Sequence, residues 1–366
     1  NSGSVNLVSV TPNSFNCSHL GTTEVVLIVN DGHNNVNSCT ANVTIVDNTQ
    51  PNISCKNVTV SLSSASQASI APALVFDGGG DNCGSVNLVS VVPNYFVCSN
   101  LGANTVTLTT NDGHGNVQTC TSIVTLIDPI PPVAKCKDIT VQLSGSGVAS
   151  VAPANVNDGS TDNCPVNLSL SKTSFNCSNV GQNIVQLTAT DPAGNSHQCS
   201  AVITVQDLVK PTALCKSAII NLDASGQASL ATSQVNNNSS DACGIQGLSL
   251  SKTSFVCADK GLKTVTLTVT DVNGNTKTCA SSVLVKDAIK PTALCKNASL
   301  TLDANGSGVL TSAMLNNGSS DNCGIQSFTI TPSTLSCANA GVNTVTLKAT
   351  DPSGNYKTCT ASVTVA

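Results

Sequence analysis

Apolar and β-branched residues alternate with Thr, Ser and Asn through most of this chain. In Lys263–Thr270, Val265, Leu267 and Val269 fall on one face and four threonines on the other; 104–110 and 120–127 follow the same rule. A period of two is the mark of a strand with one buried face. Nowhere do apolar residues recur at the 3.6-residue period of an amphipathic helix. Between the alternating runs stand Asp112–Asn116, Asp191–Asn195 and Asp271–Asn275, all containing Gly. Asp and Asn tolerate left-handed backbone and Gly has no Cβ to clash, so these segments predict hairpin turns. Six or seven short strands in roughly 80 residues predict an all-β chain of tandem immunoglobulin-like antiparallel β-sandwich modules.

The cysteines set the period. Eighteen of them fall into a four-beat pattern. Cys55, Cys136, Cys215 and Cys295 form the first beat, and Cys83, Cys164, Cys243 and Cys323 follow 28 residues later. Cys98, Cys177, Cys257 and Cys337 come 13 to 15 residues after those, then Cys120, Cys199, Cys279 and Cys359 at 22. The unit recurs every 79 to 81 residues, and an internal repeat takes precedence over any local motif. Asp-x-x-x-Pro linkers (Asp47–Pro51, Asp128–Pro132, Asp207–Pro211, Asp287–Pro291) divide the chain into modules 48–127, 128–206, 207–286 and 287–366. Residues 1–47 form the C-terminal part of a further module, because residues 1–7 align with 82–88. A stretch of a longer polypeptide accounts for a start in mid-module; a subunit completed by a neighbour's strand is the other reading.

Composition narrows the function. Aromatic residues are 2% of the chain, with no Trp, so the cores must be built from Val, Ile, Leu and Ala. All fifteen basic residues are Lys and the net charge is −5, which argues against nucleic-acid binding, since phosphate neutralisation and base readout need basic side chains. No apolar run reaches the eighteen or so residues of a membrane helix, and the first residues show no signal-peptide pattern. The four histidines, His19, His33, His114 and His197, do not recur at fixed positions, and no nucleophile or phosphate-loop motif occurs. Gly78–Gly80 is a turn insertion with no helix to follow it. Sequons such as those at Asn42, Asn52, Asn57, Asn167 and Asn297 are no more frequent than this Asn-, Ser- and Thr-rich composition produces by chance. The chain is read as non-catalytic.

A linker Asp-x-x-x-Pro, then Cys55–Val60 (Cys-Lys-Asn-Val-Thr-Val), Asp-Asn-Cys at Asp81, Asp162 and Asp321, the Ala-Thr-Asp-Pro-x-Gly-Asn run at Ala189 and Ala349, and a Cys before the last strand together resemble the hyalin repeat (HYR). The four-cysteine HYR-like modules of large secreted Bacteroidetes proteins are the narrower resemblance, and it covers the whole chain. The family's usual Trp on the second strand is replaced by Ile70, Val151, Leu230 and Leu310.

Cysteines never closer than 13 residues do not suit zinc, whose sites bring closely spaced pairs. Disulfides suit the small modules and place the protein outside a reducing cytosol. Two-cysteine HYR modules retain the first and fourth beats. The resemblance therefore implies Cys55–Cys120, Cys136–Cys199, Cys215–Cys279 and Cys295–Cys359, with the second pairing to the third: Cys83–Cys98, Cys164–Cys177, Cys243–Cys257 and Cys323–Cys337. One feature resists: Ser2 stands where a second-beat cysteine belongs, yet Cys17 is present. First-to-second with third-to-fourth pairing, giving Cys17–Cys39, stays open.

Three acidic positions also recur. Asp47, Asp128, Asp207 and Asp287 end each unit; Asp81, Asp162, Asp241 and Asp321 precede the second-beat cysteine, three of them followed by Asn82, Asn163 and Asn322; Asp112, Asp191, Asp271 and Asp351 open the last hairpin. If modules stack end to end, these oxygens converge at each junction, the ligand type Ca²⁺ prefers. Turn and strand-end capping is the competing explanation.

The resemblance implies the stalk of a giant surface adhesin exported by the type 9 secretion system and used in attachment or gliding motility. Its partners would be neighbouring modules of the same chain, and surface polysaccharide or other cell-surface proteins. A self-assembling extracellular filament, or accessory modules of a secreted enzyme whose catalytic domain lies elsewhere, are the alternatives.

Overall fold

The computed structural model describes residues 3–366; the Ser2 position lies outside them. The chain forms two compact units. One comprises Asn1–Thr140, Ser150–Thr173 and Gln182–Thr204, the other Val141–Ala149, Ser174–Gly181 and Val205–Ala366.

In the first unit the repeat at 48–127 shows what the alternation builds. A four-stranded sheet runs in the order Val58–Ser61, Val117–Ile127, Gly102–Asn111, Asn87–Val92. Two short ladders complete the sandwich, Asn52–Cys55 with Phe76–Gly80 and Gln67–Ser69 with Tyr95–Val97. Val106, Leu108, Val124 and Leu126, the alternate residues of the two long strands, are fully buried and pack with Ile70, Val75, Val91 and Phe96. Neighbouring strands are antiparallel except Val58–Ser61, which runs parallel to Val124–Ile127. Residues 3–47 hold a three-stranded sheet, Asn6–Thr11, Gly21–Asn30 and Val36–Ile45, in which Val25 is the buried apolar side chain among the described residues.

The second unit repeats the plan twice. The sheet orders are Ala218–Asn221, Thr276–Lys286, Gly261–Asp271, Ile245–Leu250 and Ala298–Leu300, Tyr356–Val365, Gly341–Thr350, Ser327–Thr331. Both cores are aliphatic, around Val265, Leu267 and Val283 in one and Val345, Leu347 and Val363 in the other. Ile70, Val151, Leu230 and Leu310, which recur at one place in the repeat, are each buried, so that position is a core site filled by an aliphatic side chain.

Two elements escape a periodicity reading because they are too short to show a period. One is a single helical turn at Pro72–Val75, Pro153–Val156, Thr232–Val235 and Ser312–Leu315, whose last residue is completely buried. The other is a 3₁₀ turn opened by each third-beat cysteine: Cys17–His19, Cys98–Asn100, Cys177–Asn179, Cys257–Asp259 and Cys337–Asn339.

A buried ring sits at Phe96, Phe175 and Phe255, and Leu335 takes that place in the last repeat. Truncating such a ring removes its transfer energy and leaves a cavity. Phe255→Ala is expected to destabilise its repeat by about 3–5 kcal/mol, followed by circular dichroism in denaturant since there is no Trp to report. Ile184→Thr, at a side chain 78% exposed, is expected to cost less than about 0.5 kcal/mol.

Candidate functional site at the repeat junctions

Each linker aspartate closes a turn on itself and is gripped from two sides. Asp128 Oδ1 accepts the Ile130 N–H at 3.1 Å, its Oδ2 accepts Asn163 Nδ2 at 3.0 Å, and its backbone carbonyl accepts Asn195 Nδ2 at 2.8 Å. Asp47 has the matching partners Thr49, Asn82 and Asn116, and Asp287 has Ile289, Asn322 and Asn355, but in both the backbone N–H and the Asn82 or Asn322 amide fall on Oδ1. The Asn that closes the last hairpin therefore does two jobs. Asn195 also donates to the Asp191 carboxylate at 2.8 Å, which holds the turn, and through the same amide it pins the linker. Reading Asp-x-x-Gly-Asn as turn chemistry misses the second job, because the partner lies 67 residues upstream.

First-beat cysteines bond fourth-beat ones: Cys55–Cys120, Cys136–Cys199, Cys215–Cys279 and Cys295–Cys359. The second-to-third pairs expected within a repeat do not form. Instead the third-beat cysteine of one repeat bonds the second-beat cysteine of the next: Cys17–Cys83, Cys98–Cys164, Cys177–Cys243 and Cys257–Cys323, each 66 residues apart. This corrects Cys83–Cys98, Cys164–Cys177, Cys243–Cys257 and Cys323–Cys337, and it also displaces Cys17–Cys39. Strand geometry gives the reason. Cys98 precedes Gly102, which pairs with Leu126, whereas Cys83 precedes Asn87, which pairs with Asn111. The two cysteines thus lie at opposite ends of the ten-residue strand Gly102–Asn111, about 30 Å apart at 3.3 Å per residue. A disulfide spans at most about 7 Å between Cα atoms. Cys39 and Cys337 carry free, exposed thiols among the described residues.

The bond needs room. Gly226 has φ +75° and faces the Cys177-type position of its own repeat: a Cβ there would stand 2.7 Å from Cys257 Sγ and 2.9 Å from the Asn322 carbonyl. Gly147 faces the bonded Cys177 Sγ at 2.8 Å in the same way, and Gly306 faces the free Cys337 Sγ at 2.7 Å. In the first unit Ser66 occupies the equivalent turn with φ 65° and spends its hydroxyl on the Asn163 carbonyl.

The recurrent carboxylates gather beside these bonds, unequally. One oxygen each of Asp128, Asp162 and Asp191 lies within 4.8 Å of the others, as do those of Asp287, Asp321 and Asp351. At Asp47 the group is Asp112 with His114, and Asp81 stands outside it. At Asp207 the group is Asp241 with Cys243, whose sulfur is bonded to Cys177; Asp271 is not part of it. In that repeat Ala242 replaces the Asn, and Asn273 Nδ2 donates to Asp207 Oδ2 at 2.6 Å instead. Burial, then the negative charges of Asp287 and Asp351, raise the Asp321 carboxyl above its ordinary range against the Cys323 N–H that it accepts. At Asp112 burial pulls the same way, but hydrogen bonds from Asn116 and His114 prevail and lower it. The remaining histidines do structural work where they bond: His197 Nδ1 accepts the Ala134 N–H at 3.0 Å.

No family model matches the chain. Among solved structures it is similar to the protocadherin GammaB4 extracellular domain (15% identity over 99% of this chain and 77% of that one, TM-score 0.27). It is similar also to Drosophila N-cadherin EC1-4 (11%, 85% and 100%, 0.25) and to Sidekick-1 immunoglobulin domains 1–5 (11%, 96% and 87%, 0.28). Scores this low carry nothing about function, and the fold stands on the strand pairing itself.

The disulfides make two disjoint covalent routes through the chain. One passes through the first-to-fourth bonds and the linkers; the other passes through the inter-repeat bonds and the segments between second- and third-beat cysteines. A backbone cut in a linker therefore leaves the other route intact. With a site-specific protease sequence placed between Asp128 and Pro132, the cleaved chain is expected to keep its full mass on a non-reducing gel and to separate into two fragments on reduction. In Cys98→Ser/Cys164→Ser the fragments are expected to separate without reductant.

Proposed function

We propose that this chain is a non-catalytic tether in an extracellular adhesion protein, built so that load passes through covalent bonds rather than through the folded cores. The observation that carries this reading is the pair of covalent routes. Between second- and third-beat cysteines the inter-repeat route uses 13 to 15 residues of backbone per repeat, and the linker route uses 16 between Cys120 and Cys136. An unfolded repeat therefore adds at most about 55 Å at 3.3–3.6 Å per residue. Without disulfides the same repeat, of about 80 residues, would pay out roughly 280 Å.

Other features agree with a passive, exposed role. The residues at the junctions recur from repeat to repeat, where a catalytic centre needs a singular constellation. Eight disulfides among the described residues belong to an oxidising compartment. Among the described residues no helix is long and apolar enough to cross a membrane. The hyalin-repeat resemblance adds the finer reading: the stalk of a giant adhesin exported by type 9 secretion, holding a distal binding region away from the cell in attachment or gliding.

Single-molecule pulling on the chain by its two ends tests the mechanical reading. Unreduced, each repeat is expected to release no more than about 16 residues of contour; after reduction, steps of about 80 residues appear. Steps of about 80 residues in the unreduced chain would overturn the proposal.

A further inference from the structure

The carboxylate clusters hold an inconsistency that turn chemistry does not resolve. In the groups around Asp128 and Asp287, three carboxylates bring oxygens within 4.8 Å of one another, where like charges oppose ionisation. Their hydrogen bonds account for only part of each group. Asp162 and Asp321 each accept one N–H through Oδ2, from Cys164 and Cys323, while their Oδ1 atoms are sealed from solvent with no hydrogen-bond partner. Asn163 and Asn322 donate their amide N–H groups to Asp128 and Asp287, which leaves their Oδ1 atoms equally sealed and unpartnered. At Asp47, a side chain 9% exposed, Oδ2 has no partner, and Asp81 Oδ1, outside the cluster, has none either. A buried acceptor left unpaired costs about 1–3 kcal/mol, more when charged. The Oδ1 of the aspartate two residues before the second-beat cysteine goes unpaired in three repeats, and that of the following Asn in two; all of these atoms are acceptors.

We propose that the clusters at Asp47, Asp128 and Asp287 each bind one calcium-class divalent cation, and that the cluster at Asp207 does not. The donors are carboxylate and carboxamide oxygens, the hard set Ca²⁺ takes at six to eight positions. Zinc would call for several thiolate or imidazole donors; the neighbouring cysteines are spent in disulfides, and His114 at Asp47 is the one imidazole in these clusters. One cation removes the mutual repulsion and occupies the unpaired oxygens together.

The fourth cluster is an internal control. Ala242 removes the carboxamide, Asn273 supplies a proton donor to Asp207 Oδ2 at 2.6 Å, and Asp207 and Asp241 have no sealed unpaired oxygen. There an amide already does what the cation does elsewhere. At Asp287 the opposing charge is Lys260, whose Nζ lies 3.3 Å from Ser353 Oγ, itself 3.3 Å from Asp287 Oδ2. That cluster is expected to bind more weakly than the one at Asp128. This inference is independent of the tether reading, since cation binding and covalent routing rest on different residues.

The test is equilibrium dialysis of the intact, unreduced chain, stripped with chelator, against radioactive calcium up to about 10 mM, above the range of weak extracellular sites. Three bound ions per chain are expected, with a thermal midpoint by circular dichroism that rises with calcium and falls on chelation. Asp162→Asn is expected to lower the count from three to two, and Asp241→Asn to leave it at three. Asp321→Asn makes the same measurement on a second cluster if the first variant does not fold. Folded protein that binds no calcium overturns the proposal, as does a count that Asp162→Asn and Asp321→Asn leave unchanged or that Asp241→Asn lowers.

Discussion

The disulfide that joins a third-beat cysteine to the second-beat cysteine of the following repeat governs the rest of the molecule. It closes a loop of 66 residues each time, interleaved with the loops of 63 to 65 residues closed within repeats. A loop of that length is worth about 4 kcal/mol in the chain-entropy account, a large share of what a domain of this size can hold in reserve. It also fixes what may stand around it. The bonded sulfurs require the Asn-Cys segment of one repeat to reach the first hairpin of its predecessor, where Asn322 Nδ2 meets the Asp223 carbonyl at 3.1 Å. They exclude a Cβ at Gly226, and they bring the acidic residue before the second-beat cysteine up to the linker aspartate.

A chain this poor in large side chains depends on such bonds. Each core is a layer of Val, Leu and Ala with at most one ring, and the position that could take Trp holds Ile70, Leu230 or Leu310. Charges do little of the work: Lys252 and Asp259 form the ion pair among the described residues, at 2.6 Å, and an exposed pair of that kind contributes at most about 1 kcal/mol. Order at the junctions comes instead from uncharged amides. Asn116, Asn195, Asn275 and Asn355 hold the linker carbonyls, which positions the carboxylates without neutralising them.

The strands were legible because a half-buried strand must alternate, and Val106, Leu108, Val124 and Leu126 do. The three recurrent aspartates were legible for the same reason that they cluster: each sits at a strand or turn end on one side of the sandwich. At Asp207 the reading fails, since a single replacement, Ala242, and a neighbouring amide, Asn273, redirect the geometry. The inter-repeat disulfides escape a sequence-local reading although two signals point to them. The third-to-next-second spacing is constant at 66, whereas the second-to-third spacing within a repeat drifts between 13 and 15. Cys17, lacking a second-beat cysteine before it, had its partner ahead in Cys83. Sequence-local reasoning favours the nearer cysteine; a rigid ten-residue strand between the two forbids it.

The most direct measurement is mass spectrometry of a non-reduced, thiol-blocked digest, with cleavage between every pair of cysteines. The account predicts linked peptides joining Cys98 to Cys164 and Cys257 to Cys323, with Cys337 recovered blocked and unpaired in the 366-residue chain. Peptides joining Cys83 to Cys98 and Cys243 to Cys257 would contradict it, and would return each repeat to a closed unit tied to the next by backbone alone.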